Sequence, residues 1–150
     1  MTARWSRAGA NVAVPNDTGV ELSNGTKLFT KAESSLKYRQ LGGLVFATVQ
    51  YSWNNRNSAS GEGFMKLVIT DPGLTSIINS ESVGIASIVD CGEISCSTNY
   101  RWMSCYVEGN EVFILQGGTD NSNPQPLLPM TEGNFADTGG NIGFDILYMI

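Results

Sequence analysis

The sequence predicts an all-β domain: an antiparallel β-sandwich, jelly-roll-like, with about eight short strands. Three observations predict it. Apolar residues recur at every second position through several segments. Turn-forming clusters separate those segments at spacings of about ten residues. No alternation of strands with long helical patterns supports parallel βαβ units.

The N-terminal 40 residues are thinner in apolar content. Trp5, Val12, Val14, Val20, Leu22, Leu28 and Phe29 suggest short extended pieces around a Pro15-Asn16-Asp17 turn. Lys31 to Gln40 is the one stretch that reads as a helical turn. Leu44 to Trp53 is the clearest strand, with Val45, Ala47, Val49, Tyr51 and Trp53 on one face and Leu44, Phe46, Thr48, Gln50 and Ser52 on the other. A polar loop over residues 54–61 ends it. Phe64 to Thr70 resumes the alternation, aligning Met65, Leu67 and Ile69. In Asp71-Pro72-Gly73 the proline presets φ and the glycine tolerates a turn conformation.

Leu74 to Ser82 reads as a loop or a helical turn, since Leu74, Ile77 and Ile78 have helical spacing. Gly84 to Cys96 reads as two short strands broken around Asp90 and Gly92. Thr98 to Val107 sets Tyr100, Trp102, Ser104 and Tyr106 against Arg101, Met103, Cys105 and Val107. Glu108-Gly109-Asn110 is a hairpin connection, and Glu111 to Gln116 the return strand. Gly117 to Asn123 reads as a loop; Pro124, Pro126 and Pro129 then exclude a central ladder position. In Asn141 to Ile150 one face carries Ile142, Phe144, Ile146, Tyr148 and Ile150. So apolar a strand is not expected to be an exposed tail. Residues 1–150 read as a single domain, with 1–40 its less regular part.

Composition narrows function. Charged residues are 15% of the chain, and the net charge is −5 with no basic face, which argues against nucleic acid. No run of about 18 apolar residues proposes a membrane span, and Met1 to Trp5 leads into no apolar stretch of signal-peptide length. Cys91, Cys96 and Cys105 are an odd number, read as thiols of a protein made in a reducing compartment; a Cys96–Cys105 bridge stays open.

The chain has no histidine, so the commonest general base and transition-metal ligand are missing together. Ser–His–Asp and Cys–His arrangements are thereby excluded, and three cysteines alone do not close a zinc site. Asp71, Asp90, Glu93, Asp120, Asp137 and Asp145 are the carboxylates that a glycoside-cleaving pair would draw on, but most sit beside turn formers. The polar runs Asp120 to Asn123 and Asp137 to Asn141 lack EF-hand spacing and read as turns. The expectation is therefore no catalytic residue, no metal, no cofactor and no enzyme. What stands out is aromatic: Tyr51, Trp53, Tyr100, Trp102, Tyr106, Phe144 and Tyr148 are candidate interface residues. Packing in a core or between subunits is the first reading, with stacking on sugars as the alternative.

The order of segments resembles trimeric viral jelly rolls of the tumour-necrosis-factor-like class, an architecture shared by bacteriophage decoration proteins and fibre heads. Val14 to Val20 precedes a strand, and Leu41 to Trp53 looks like that class's central entry strand. Ser97 to Gly109 followed by Glu111 to Gln116 looks like its late hairpin, and Phe144 to Ile150 like its apolar last strand. The resemblance implies a homotrimer closed about a threefold axis. No shaft or coiled coil is visible ahead of the domain, so the expected role is a virion protein decorating or stabilising a capsid, assembled in the host cytoplasm. Its partners would be further copies of itself and the major capsid or other virion proteins. The alternative is a receptor- or carbohydrate-binding head of a tail fibre or tail tip, meeting host surface glycan.

Overall fold

A computed structural model describes residues 12–14, 19–24, 29–56, 63–79, 81–120 and 123–150. The Pro15-Asn16-Asp17 turn, Trp5, Leu28, most of the loop after Asn55 and the Asp120 to Asn123 turn side chains lie outside the described residues. Ten strands are described: β1 (Val12–Val14), β2 (Val20–Ser23), β3 (Phe29–Leu41), β4 (Leu44–Arg56), β5 (Lys66–Ile69), β6 (Val83–Gly92), β7 (Trp102–Glu108), β8 (Glu111–Asp120), β9 (Asn123–Pro129) and β10 (Gly140–Met149). Helix α1 (Pro72–Thr75) and a 3-10 turn (Glu132–Asn134) complete the order.

The strands form two antiparallel sheets packed as a sandwich, as expected of the fold class. Sheet A has the order β1-β3-β4-β10-β6 and sheet B the order β2-β5-β8-β7, with β9 also on β8. The chain passes repeatedly between the sheets, while the β3–β4 and β7–β8 hairpins each stay within one sheet. β5 and β9 share one edge of β8, and Met65 and Met130 fill the junction: the Met65 amide donates to the Met130 carbonyl at 2.8 Å and the Met130 amide to the Ile114 carbonyl at 2.8 Å.

Alternation decides the core. On β4, Val45, Ala47, Val49, Tyr51 and Trp53 are all buried, as are Ile142, Phe144, Ile146 and Tyr148 on β10. Across the sandwich they meet Leu22, Leu67, Ile69, Val112 and Ile114. β10 lies between β4 and β6 over its whole length, so the last apolar segment is a central strand. Its outer face is mixed, with Asp145 and Met149 exposed.

Four local expectations need correction. Lys31 to Gln40 is not a helical turn but part of the 13-residue strand β3, paired with β4 across a two-glycine turn at Gly42 and Gly43. Its Ser34, Leu36 and Tyr38 are buried at period two, and the long partner strand overrides the weak helical spacing. Residues 84–96 hold one strand rather than two. β6 runs through Asp90 because a bulge absorbs Val89: Gly143 pairs Asp90 while Phe144 pairs Ile88. Gly117 to Asp120 extend β8 instead of opening a loop, and the proline-rich segment pairs with them as β9. Finally, ten described strands replace about eight. Of the Leu74 to Ser82 stretch, Leu74 and Thr75 close α1 and Ser76 to Asn79 follow as turn and loop; Asp71 caps the helix, its carboxylate accepting the Leu74 amide at 2.8 Å.

Candidate functional site: the outer face of sheet B

The seven aromatic candidates separate by the pleat. Tyr51, Trp53, Phe144 and Tyr148 are 0–3% exposed. They lie on the inner faces of β4 and β10, where sheet B already covers them. This corrects their candidacy as interface residues: no partner reaches them in the folded domain. Trp53 is anchored further, its indole N–H donating to the Ala136 carbonyl at 2.9 Å and its ring 5.7 Å from Phe135.

On β7 the other face is inside. Met103, Cys105 and Val107 pack against the core, so Trp102 and Tyr106 project outward at 50% and 44% exposure, with Tyr100 half-buried. Register with β8 then builds an ordered surface. Nearest the hairpin turn, Glu108 stands opposite Glu111; next, Tyr106 opposite Phe113; then Ser104 opposite Leu115; last, Trp102 opposite Gly117. Tyr106 and Phe113 stack at 4.7 Å between centroids, 7° from parallel. Lys66 of β5 lies 5.5 Å from the Phe113 centroid and forms an ion pair with Glu111 at 2.8 Å.

Gly117 explains the pose of Trp102. A Cβ at that position would stand 2.2 Å from two carbons of the indole, so only glycine lets the ring lie against β8. The segment leading into β7 is held from beneath. The buried Gln116 side chain accepts the Ser97 amide at 2.7 Å and donates to the Ser97 hydroxyl at 3.1 Å. The Arg101 amide donates to the Gly117 carbonyl at 2.7 Å.

At the turn end the hairpin is tied to β5. The Ile69 amide donates to the Asn110 carbonyl and the Asn110 side-chain amide donates to the Ile69 carbonyl, both at 2.8 Å. Gly109, at φ +57°, makes the reversal. Between this turn and α1 lies an open cleft of about 580 Å³, offering Thr75, Asn79, Glu108, Asn110 and Glu111 beside the Phe113 ring. Phe113 lies between the Tyr106 ring and the Lys66 ammonium, so the aromatic surface open to solvent is that of Trp102 and the outer side of Tyr106. Sequence reading missed Glu108, Glu111, Phe113 and Lys66. The available signal was two glutamates flanking a two-residue turn, where like charges stand directly opposite unless a cation intervenes.

The carboxylates singled out from the sequence are dispersed. Asp71 caps α1, Asp90 accepts from the Asn141 side-chain amide at 2.8 Å, and Asp145 accepts from the Thr48 hydroxyl at 3.0 Å. Among the described residues no group of three or more Cys, Asp or Glu side chains is disposed to hold a metal ion. The three cysteines are unpaired. Burial pushes all three thiols up, that of Cys105 to about 11. No described helix is long and apolar enough to cross a membrane.

No protein-family model matches the chain, and no curated protein matches it. Among solved structures the fold is similar to part of the crystal structure of the Dettilon tailspike protein, with a TM-score of 0.61 at 13% sequence identity. The similarity covers 93% of this chain and 24% of the tailspike, so the chain spans about a quarter of that protein's length. At this identity the likeness establishes the β-sandwich and nothing finer. The expectation that the chain is not an enzyme is corrected with it: the fold is shared with part of a tailspike, and the missing histidine does not by itself exclude catalysis.

Proposed function

We propose that the chain is a phage virion protein of the tail rather than of the capsid shell, and that it meets host surface glycan through the outer face of sheet B. The observation that carries this reading is the fold likeness to a stretch of a tailspike. The aromatic ladder supplies the place: Trp102 lies over Gly117, the Tyr106–Phe113 stack follows, and the Glu108–Glu111 cleft ends the row. Of the two virion locations expected from the sequence, the tail location is the one this likeness supports. Capsid decoration finds no comparable support.

The test is binding of the purified chain to polysaccharides extracted from candidate host surfaces, measured by calorimetry. Trp102→Ala is expected to weaken binding about tenfold, the equivalent of ~1.4 kcal/mol, close to the upper range of an aromatic contact. Reducing ends are measured in the same samples. Release that vanishes in Glu108→Gln would give the carboxylate pair a hydrolytic role. Failure to bind any such polysaccharide, together with co-sedimentation on emptied capsids, would return the protein to the shell.

A further inference from the structure

Resting on the glycan reading above, we infer that the outer face of sheet B takes a glycan free of acidic groups, and that Glu108 and Glu111 enforce the choice. Strand register gathers charge on that face into one row. Glu21 on β2, Val68 on β5, Glu111 on β8 and Glu108 on β7 stand side by side across four strands. They share the outer surface because the alternate residues Val20, Leu67 and Val112 are buried in the core. The adjoining row holds Ser23, Lys66, Phe113 and Tyr106. Lys66 is thus the one cation in the two rows, against three carboxylates.

That lysine is already engaged. Its ammonium lies 2.8 Å from a Glu111 oxygen and 5.5 Å from the Phe113 centroid. An acidic group on a ligand would have to displace Glu111 to reach it. Glu108 is exposed, and no cation among the described residues pairs with its carboxylate. Directly opposite Glu111 on the neighbouring strand, it leaves this end of the face with excess negative charge. The cleft beside them adds Thr75, Asn79 and Asn110, which are polar but uncharged. Arg101 is exposed at the Trp102 end. At a strand's rise of ~3.3 Å per residue, Glu108 lies about 20 Å further on, well past the ~8 Å screening length of physiological salt. Hydroxyl and amide groups of an uncharged glycan can donate to both carboxylates, whereas a uronate or phosphate brought to the same place meets like charge.

Calorimetry on the purified chain uses host-surface polysaccharide separated by anion exchange into neutral and acidic fractions. The acidic fraction is measured again after its carboxylates are reduced to alcohols. The parent should bind the neutral and reduced samples at least about tenfold more tightly than the acidic one. Raising salt from about 0.01 M to 0.15 M shortens screening from ~30 Å to ~8 Å and should strengthen binding of the acidic sample, the sign expected of repulsion. Glu108→Lys should narrow the gap between acidic and reduced samples to within about threefold. The salt series needs no variant, so it decides even if Glu108→Lys fails to fold. Acidic polysaccharide bound as tightly as its reduced form, or bound more weakly as salt rises, overturns the inference and leaves the glycan reading standing. Binding to none of the samples removes both.

Discussion

Replacing Trp53 tests whether the large aromatics of β4 belong to the domain's own core. The indole is 2% exposed, donates to the Ala136 carbonyl at 2.9 Å and packs on Phe135. Trp53→Phe keeps a ring but removes that hydrogen bond, worth ~0.5–1.5 kcal/mol. It also leaves space where the second ring stood, for a further cost of about 1–2 kcal/mol. The expected loss is ~2–3 kcal/mol, which in a domain of this size lowers the melting temperature by about 5–10 °C. Trp53→Ala should cost ~3–5 kcal/mol, a large share of the ~5–15 kcal/mol available to a typical domain, and reduce soluble yield. Thermal melts by circular dichroism, paired with light scattering, give both readouts. A variant that melts with the parent but loses mass in solution would refute the reasoning, because the indole would then face a partner and not the second sheet.

Tyr148→Asp should yield insoluble protein, since that side chain is fully buried on the central strand β10; recovery of a folded monomer would contradict the assignment. Tyr148→Phe should raise the melting temperature slightly, because the buried hydroxyl has no hydrogen-bond partner among the described residues and leaving such a group unsatisfied costs ~1–3 kcal/mol; a lowered melting temperature would show that the hydroxyl is satisfied. Asp71→Ala should cost about 1 kcal/mol in urea titration through loss of the α1 cap, and an unchanged midpoint would argue against the cap. Cys105 adds a pH dependence. Its folded value of about 11 lies above the ordinary 9.0, so its contribution is whole below pH 9 and is lost as pH rises towards 11, where the unfolded chain ionises more readily. Cys105→Ala should flatten that part of the alkaline fall in melting temperature; an identical profile would mean other groups cause it.

The long alternating segments declared themselves because their chemistry is local. Val45 to Trp53 and Ile142 to Tyr148 each present an apolar residue at every second position, and a period of two admits only a strand with one buried face. The hairpin at Gly109 and the prolines of β9 were equally readable: a turn that needs φ near +57° and an edge that tolerates missing amides are properties of single residues. β3 was not readable, because Lys31 to Gln40 carries few apolar residues and becomes a strand through the β4 partner rather than through its own preference.

The functional surfaces depended most on tertiary structure. Alternation alone showed that Tyr100, Trp102 and Tyr106 share a face. It did not say which side of β7 is inside, and the core took Met103, Cys105 and Val107 instead. Alternation on β2 and β8 likewise could not reveal that Glu21 shares a row with Glu111 and Glu108. It stands far from them in sequence, and only the pairing of β5 with both neighbours brings them together. Periodicity along a chain determines which residues point together; the pairing of strands and the packing of sheets determine which of those faces meets water, because that choice is made by partners distant in sequence.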